Sequence, residues 1–300
     1  MVLGRDKRGR RLAAQLFVWV SLAIVLYPLL RMILFSLFDS RFFRLDSWPR
    51  LTLRHWQAGL GLPHLSRRGV MIPAHHELWL WIGNSLKVAG ITALASTLVA
   101  LSTAYAFARL SFGGRYWLDR ALFMGQMFPS LLLVVAFYTL FDQLGEYVPM
   151  LGLDTHGGLI LALFGQTSLG MIWAFKGFFA ELPKEIEEAA SIDGASDWQI
   201  FWRIALPLAR PMIAVMVTLT MTGLMYEPML SSALLTSSDK ATIATGLMQY
   251  SSKIGERSMG GETELGDLAA VNLFVSLPCI AVFLFAQRWM ESTLNGAVKA

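Results

Sequence analysis

The sequence predicts an all-α integral membrane protein, with one transmembrane domain over residues 1–300 carrying six spanning helices. Three observations predict it. Hydrophobic residues make up 55% of the chain and charged residues 15%, whereas ordinary soluble chains are about 25% charged. The apolar residues are gathered into blocks near the roughly 20 residues that cross a ~30 Å hydrocarbon layer. Lysine and arginine then alternate by side: fourteen fall in the segments assigned to the cytoplasm and nine in those assigned outside. The short loops decide that orientation, because long ones translocate largely regardless of charge.

Arg5, Lys7, Arg8, Arg10 and Arg11 precede the first span, 12–38. It is too long for a signal-peptide core and lacks a small-x-small cleavage site, so it is expected to remain as a span with its basic flank inside. Arg31 near its far end is placed to snorkel outward. The polar segment Asp39–Glu77 follows, with Trp48-Pro49 and four of the five histidines: His55, His64, His75 and His76. The adjacent pair points apart on either helix or strand, and no Cys or carboxylate cluster joins it, so no metal site is assigned.

The second span covers 78–109, with Trp79 and Trp81 expected as interfacial anchors and Asn84 and Lys87 just inside. Arg109, Arg115 and Arg120 mark the next loop as cytoplasmic. The third span, 121–141, contains Gln126 and is interrupted by Pro129, which frees backbone carbonyls and marks a pathway helix. Asp142–Gly158 holds no Lys or Arg and is placed outside. The fourth span is 159–175 and the fifth 211–235, the latter containing Glu227-Pro228. Glu227 has two readings, a pathway or coupling-ion carboxylate and a helix-capping or interhelix hydrogen-bonding group beside Pro228. Gly246–Gly266 is a Gly/Ser-rich outer segment, and the sixth span, 267–285, is broken by Pro278 and returns the tail to the cytoplasm. The single cysteine, Cys279, lies in an apolar run and is read as a core-filling thiol.

Between the fourth and fifth spans lies the loop 181–210, built like two short soluble helices. Pro183 suits a helix start, and Glu185, Glu187 and Glu188 load the first turns with charge that favours the dipole. Asp193-Gly194 reads as a stop, with Gly194 free to take the left-handed conformation. Ser196 and Gln199 form a capping-box pattern that restarts the chain, Phe201, Ile204 and Ala205 share one face, and Pro207 is expected to end the second helix. Ala189, Ala190, Gly194 and Ala195 make a strip of small residues on which another backbone can approach closely.

The chain has no phosphate-cradling G-x-x-x-x-G-K-[ST] loop, nucleophile elbow, HExxH or dinucleotide fingerprint. No catalytic, metal or cofactor site is assigned and the chain is read as a non-enzyme. The charge of +4 sits at membrane edges, including the aromatic-rich stretch 109–120, and reads as orientation without nucleic-acid binding.

The spacing Glu188-Ala189-Ala190, then Asp193-Gly194-Ala195, then Phe201-x-x-Ile204-x-Leu206-Pro207 resembles the EAA loop of membrane subunits of binding-protein-dependent ABC importers. Residues 81–90, 105–109, 126–129, 140–147, 155–158, 249–250 and 286–289 are similar to the maltose/maltodextrin branch of that family. The resemblance implies a type I importer permease of the bacterial inner membrane, with both termini cytoplasmic and the EAA loop as coupling helix. It also implies four companions: a second permease (MalF-like), an ATPase homodimer (MalK-like), a periplasmic sugar-binding protein and membrane lipid. Glu188, Ala189, Ala190, Asp193, Gly194 and Ala195 are then the ATPase-coupling residues. Asn84, Gln126, Pro129, Glu227 and Pro228 are pathway or gating candidates, and Tyr250, Ser251, Ser252 and Lys253 are candidates for contact with the binding protein. Residues 251–266 depart from the family pattern. The cargo is expected to be maltose or maltodextrin, with another glucoside such as trehalose as the alternative. A self-sufficient ion-coupled transporter is the second class, but it usually shows internal repeats and several intramembrane charges, which this chain lacks.

Overall fold

The computed structural model describes residues 3–38, 51–65, 71–72, 77–257 and 265–297. Trp48-Pro49, His75 and His76 and residues 258–264 of the Gly-rich insertion lie outside them, as do the side chains of His64 and Lys253. Helices dominate: α1 (Leu3–Leu37), α2 (Arg54–Gly59), α3 (Glu77–Arg109), α4 (Arg115–Gln126), α5 (Ser130–Tyr147), α6 (His156–Glu181), α7 (Lys184–Ile192), α8 (Asp197–Ile200), α9 (Leu206–Met225), α10 (Met229–Leu234), α11 (Ile243–Arg257) and α12 (Leu265–Ala297). A two-strand antiparallel hairpin, β1 (His64–Leu65) and β2 (Met71–Ile72), pairs His64 with Ile72.

Among the described residues, five helices are long and apolar enough to cross a membrane: Arg11–Leu37, Glu77–Arg109, His156–Glu181, Asp197–Met225 and Gly266–Phe285. Helices α4 and α5 make a sixth if the pair, bent by 101°, counts as one. The third expected span is therefore not a single interrupted rod. Helix α4 ends at Gln126 with Met127 as its cap, and Pro129, with no N–H to give and an extended backbone, leads into α5 in a new direction.

Two other expected boundaries move. Helix α6 is longer than the span expected at 159–175, because the Thr155 hydroxyl caps Gly158 N at 3.0 Å at one end. At the other, Leu182 before Pro183 is extended, as pre-proline residues prefer. Pro207 does not end the second elbow helix. Residues Phe201–Ala205 form a π-turn, whose i→i+5 bonding reroutes the ladder beside the proline's missing donor, and α9 continues to Met225. The fifth helix stops there instead of reaching 235: Tyr226–Pro228 breaks it, and α10 is a separate short helix.

Two compact units divide the chain. One comprises residues 77–248 and 277–300, and α3 is its axis, packing most extensively on α6 and α9. Ser85, Ala89, Ala93, Ser96, Ala100 and Ala104 recur at helical spacing on one buried stripe, letting backbones approach closely where dispersion and hydrogen bonds hold helices together. Ser96 and Thr167 bond hydroxyl to hydroxyl at 2.9 Å across α3 and α6. Phe175 and Phe179 of α6, with Phe201 and Ala205, close the core at one end, while Leu159, Leu163, Phe141 and Leu234 close it at the other. Trp81, expected as an interfacial anchor, is instead buried with its ring directly over Gly246, whereas Trp79 is exposed.

The other unit comprises residues 1–76 and 249–276. Within it, buried His55 Nδ1 and buried Asp267 Oδ1 are hydrogen-bonded at 2.6 Å, with Gly266 against the imidazole and Gly59 against Val271. Residues 11–30 of α1 are exposed almost throughout, with Phe17 73% accessible. An apolar helix of that length needs a non-aqueous surrounding.

Candidate functional site

The elbow forms from local signals alone. In α7 the carbonyl of Ala190 accepts from Ala195 N at 3.0 Å and that of Ser191 from Gly194 N at 3.0 Å, a Schellman closure. It requires a left-handed residue at the corner, and Gly194 has φ +85°. Nothing lies within 4 Å of where a Cβ would stand on Gly194, so the corner is open as well as left-handed. The chain restarts through a complete capping box: Gln199 Oε1 accepts from Ser196 N at 2.9 Å, and Ser196 Oγ accepts from Gln199 N at 3.4 Å.

Of the predicted coupling residues, Glu188, Ala189, Asp193 and Gly194 are exposed and Ala190 and Ala195 half-buried. Apolar side chains accompany them: Ile192 is 86% and Trp198 67% accessible. Trp198, Phe201 and Trp202 stack edge-on or tilted, at 5.4–6.2 Å between ring centres. The exposed surface is thus apolar, rimmed by carboxylates and small at its corner.

The elbow's inner face was not legible beforehand. Glu187, read from sequence only as a charge at a helix start, turns inward. Its Oε1 accepts from Arg109 Nε at 2.9 Å and its Oε2 from the Tyr105 hydroxyl at 3.4 Å. Arg109 also donates from Nη2 to Leu182 O at 2.7 Å, reaching the turn between α6 and α7. The charge pattern was visible, but the pairing joins residues 78 apart.

The pathway candidates do not converge on one point. Asn84 donates to Asp239 O at 3.0 Å and Ala241 O at 2.9 Å, tying α3 to the turn before α11. Glu227 caps α10, its Oε1 accepting from Met229 N and Leu230 N at 2.8 and 3.0 Å and its Oε2 from Ser231 N at 3.1 Å. Of the two readings, this geometry is the capping one, with Pro228 as the break that creates the helix start. Gln126 and Pro129 flank the bend between α4 and α5. Beside it lies an apolar groove of about 520 Å³ lined by Met124, Phe128, Phe137, Gln166 and Leu169. Tyr250, Ser251, Ser252 and Lys253 lie on α11, a helix where a Gly/Ser-rich segment was expected, and Ser252 Oγ turns back to Gln249 O at 2.9 Å.

A second feature missed from sequence joins the α5–α6 loop to the α10–α11 loop. Asp154, at φ 54°, accepts from Thr236 N and Ser237 N at 2.9 Å each and from Lys240 Nζ at 3.1 Å. Burial alone would raise its pKa, but the hydrogen bonds from Ser237, then Thr236 and Lys240, outweigh that and hold the carboxyl well below the usual aspartate range. Among the described residues, no group of three His, Cys, Asp or Glu is arranged to hold a metal.

The family model for the inner-membrane component of binding-protein-dependent transport systems matches residues 96–296. The chain belongs to this family. It is thus a multi-pass inner-membrane transport component, not an enzyme, and its fold is that of a type I importer permease. The chain is similar along its whole length to curated members. The maltose/maltodextrin transport system permease protein MalG of Vibrio parahaemolyticus is 38% identical over 302 residues, covering 100% of this chain and 99% of the relative. That of Photorhabdus laumondii is 39% identical with the same coverage. Among solved structures, a bacterial ABC transporter involved in importing the acidic polysaccharide alginate aligns with TM-score 0.73 at 18% identity, covering 95% of this chain and 98% of that one, a likeness of fold.

Proposed function

We propose that this permease is one of two membrane subunits of an ATP-driven importer for maltose or maltodextrins. Its companions are a MalF-like permease, a MalK-like ATPase homodimer and a periplasmic sugar-binding protein. The observation that carries this reading is the exposed elbow: a preformed, carboxylate-rimmed corner at Gly194 on a chain with no nucleotide-binding loop of its own. Hydrolysis then belongs to a separate polypeptide, and Glu188, Ala189, Ala190, Asp193, Gly194 and Ala195 receive its movement. Full-length likeness to maltodextrin permeases supports the cargo.

In this reading residues 1–300 are a single transmembrane domain with six spans, α4 and α5 together making the third. Residues 181–210 and both termini face the cytoplasm. Rocking of the two permeases exchanges outward- and inward-facing states as the ATPases close and open below. The apolar groove beside Gln126 and Pro129 lies where a bent helix offers two orientations of the same wall. Tyr250, Ser251, Ser252 and Lys253 form an outer helix for the binding protein.

The test is reconstitution of the four components in proteoliposomes, with ATP inside and labelled glucosides outside. Uptake of maltose or maltotriose that requires both the binding protein and ATP is expected. Uptake of trehalose alone overturns the cargo, and sugar uptake driven by a proton gradient without ATP overturns the class.

A further inference from the structure

Consecutive glutamates on α7 face opposite ways: Glu188 is exposed, while Glu187 is drawn against α3. The Arg109 side chain is 6% exposed and that of Glu187 15%, so this charge pair is shielded from water. Such a pair is unlike a surface salt bridge, where solvent screening and side-chain entropy remove most of the gain.

Arg109 and Tyr105 lie one turn apart on the last turns of α3 and between them grip three segments. Arg109 holds Glu187 on the first arm of the elbow and Leu182 O at the end of α6. Tyr105 bonds Glu187 through its hydroxyl and packs its ring on Phe201 of the second arm, 4.9 Å between centres, and on Phe179 of α6, 5.5 Å. Both arms and the preceding helix therefore meet on two residues of the helix that forms this unit's axis. The charges also suit their places, Arg109 at a helix C-terminus and Glu187 in the early turns of the next helix.

We propose that the Arg109–Glu187 pair, braced by Tyr105, delivers elbow movement to α3, and that Arg109 is a positioning residue for transport. The proposal rests on the elbow being the ATPase docking site. A displaced elbow pulls on α3 through a directional, bidentate-capable guanidinium, and α3 carries α6 and α9 with it through the small-residue stripe. Without the pair the ATPase still docks on the outer face, but its closure bends the loop instead of moving the helices.

The experiment uses the complete importer in proteoliposomes, reading membrane level, ATPase retained through purification, ATP hydrolysis stimulated by the binding protein, and sugar taken up per ATP. Glu187→Gln, close in shape, and Glu187→Ala are expected to retain the ATPase while uptake per ATP falls, about tenfold for the alanine. Tyr105→Phe gives a smaller loss in the same direction. Arg109→Glu and Glu187→Arg singly are worse, and the exchange of both recovers coupling lost by either. Unchanged uptake per ATP in Glu187→Ala overturns the proposal, as does an exchange variant no better than the single reversals. Loss of the ATPase from Glu187→Ala overturns it too, since that makes Glu187 part of the dock. The docking reading fails separately, if Gly194→Trp keeps its ATPase and transports normally.

Discussion

Asp154 and Ser237, 83 residues apart, are joined twice: the Ser237 N–H and the Ser237 hydroxyl both donate to the one carboxylate. With Lys240 and Thr236 donating too, a single side chain fastens the loop between α5 and α6 to the one between α10 and α11.

Asp154→Asn tests that fastening cleanly, because asparagine tolerates the left-handed backbone found there. The loss expected is roughly 1.5–3 kcal/mol, the scale of hydrogen bonds to a charged group. The folded-state pKa is depressed, so the stabilisation is present above the ordinary aspartate value, about 3.9. It is lost as pH falls from there toward the lower folded value. Thermal melts in detergent should show an acid-side decline in the parent protein that Asp154→Asn lacks.

Gly194 separates backbone from bulk. An alanine there meets no neighbour but must take φ +85°, at a cost of roughly 1–2 kcal/mol. Gly194→Asn is expected to be milder than Gly194→Ala in thermal melts, and Gly194→Trp to lose the ATPase on purification while inserting normally. Equal behaviour of Asn and Ala would mean that the left-handed corner is not what the glycine supplies.

Glu227→Ala removes the acceptors at the start of α10 and should destabilise by about 1 kcal/mol. Uptake by the variant, as by the parent, should be indifferent to a protonophore. A parent whose uptake collapses with the proton gradient while ATP is held constant would return Glu227 to the coupling-ion reading.

Gly246 has the reverse problem to Gly194. A Cβ there would stand 2.2 Å from the Trp81 ring, so Gly246→Ala forces backbone or indole to move, at about 1–3 kcal/mol. Trp81→Phe should recover part of that loss in melts of the double variant.

Topology can be read by labelling single cysteines with an impermeant thiol reagent in intact cells. The background should be Cys279→Ala, because Cys279 is buried with its sulfur 3.4 Å from that of Met225 and a serine would bury a hydroxyl there. Ser111 and Ser238 are both exposed. Labelling at Ser238 without labelling at Ser111 is expected, and the opposite pattern would falsify the assigned sides.

What could be read from sequence follows the range of the interaction that determines it. The Gly194 corner and the Ser196–Gln199 box are settled within six residues, and both were legible. The α4–α5 bend was half legible: Pro129 announced a break, but the angle depends on what α5 packs against. Pro207 misled because a π-turn upstream absorbs a proline that would otherwise stop a helix. Trp81 misled because aromatic residues near a membrane boundary can as well fill a notch, here above Gly246. The Arg109–Glu187 and Asp154–Ser237 contacts were invisible, since nothing local distinguishes a paired charge from a solvated one.

The double closure around Gly194 also sets the thermodynamics of any encounter there. Schellman bonds and capping box order the corner before a partner arrives, so association does not have to offset the entropy of folding it. Binding to this surface should then lack the large negative heat-capacity change of coupled folding and carry the smaller one of rigid apolar contact. In the proposed importer the corner is a fixed tooth, engaged and released each cycle without being rebuilt.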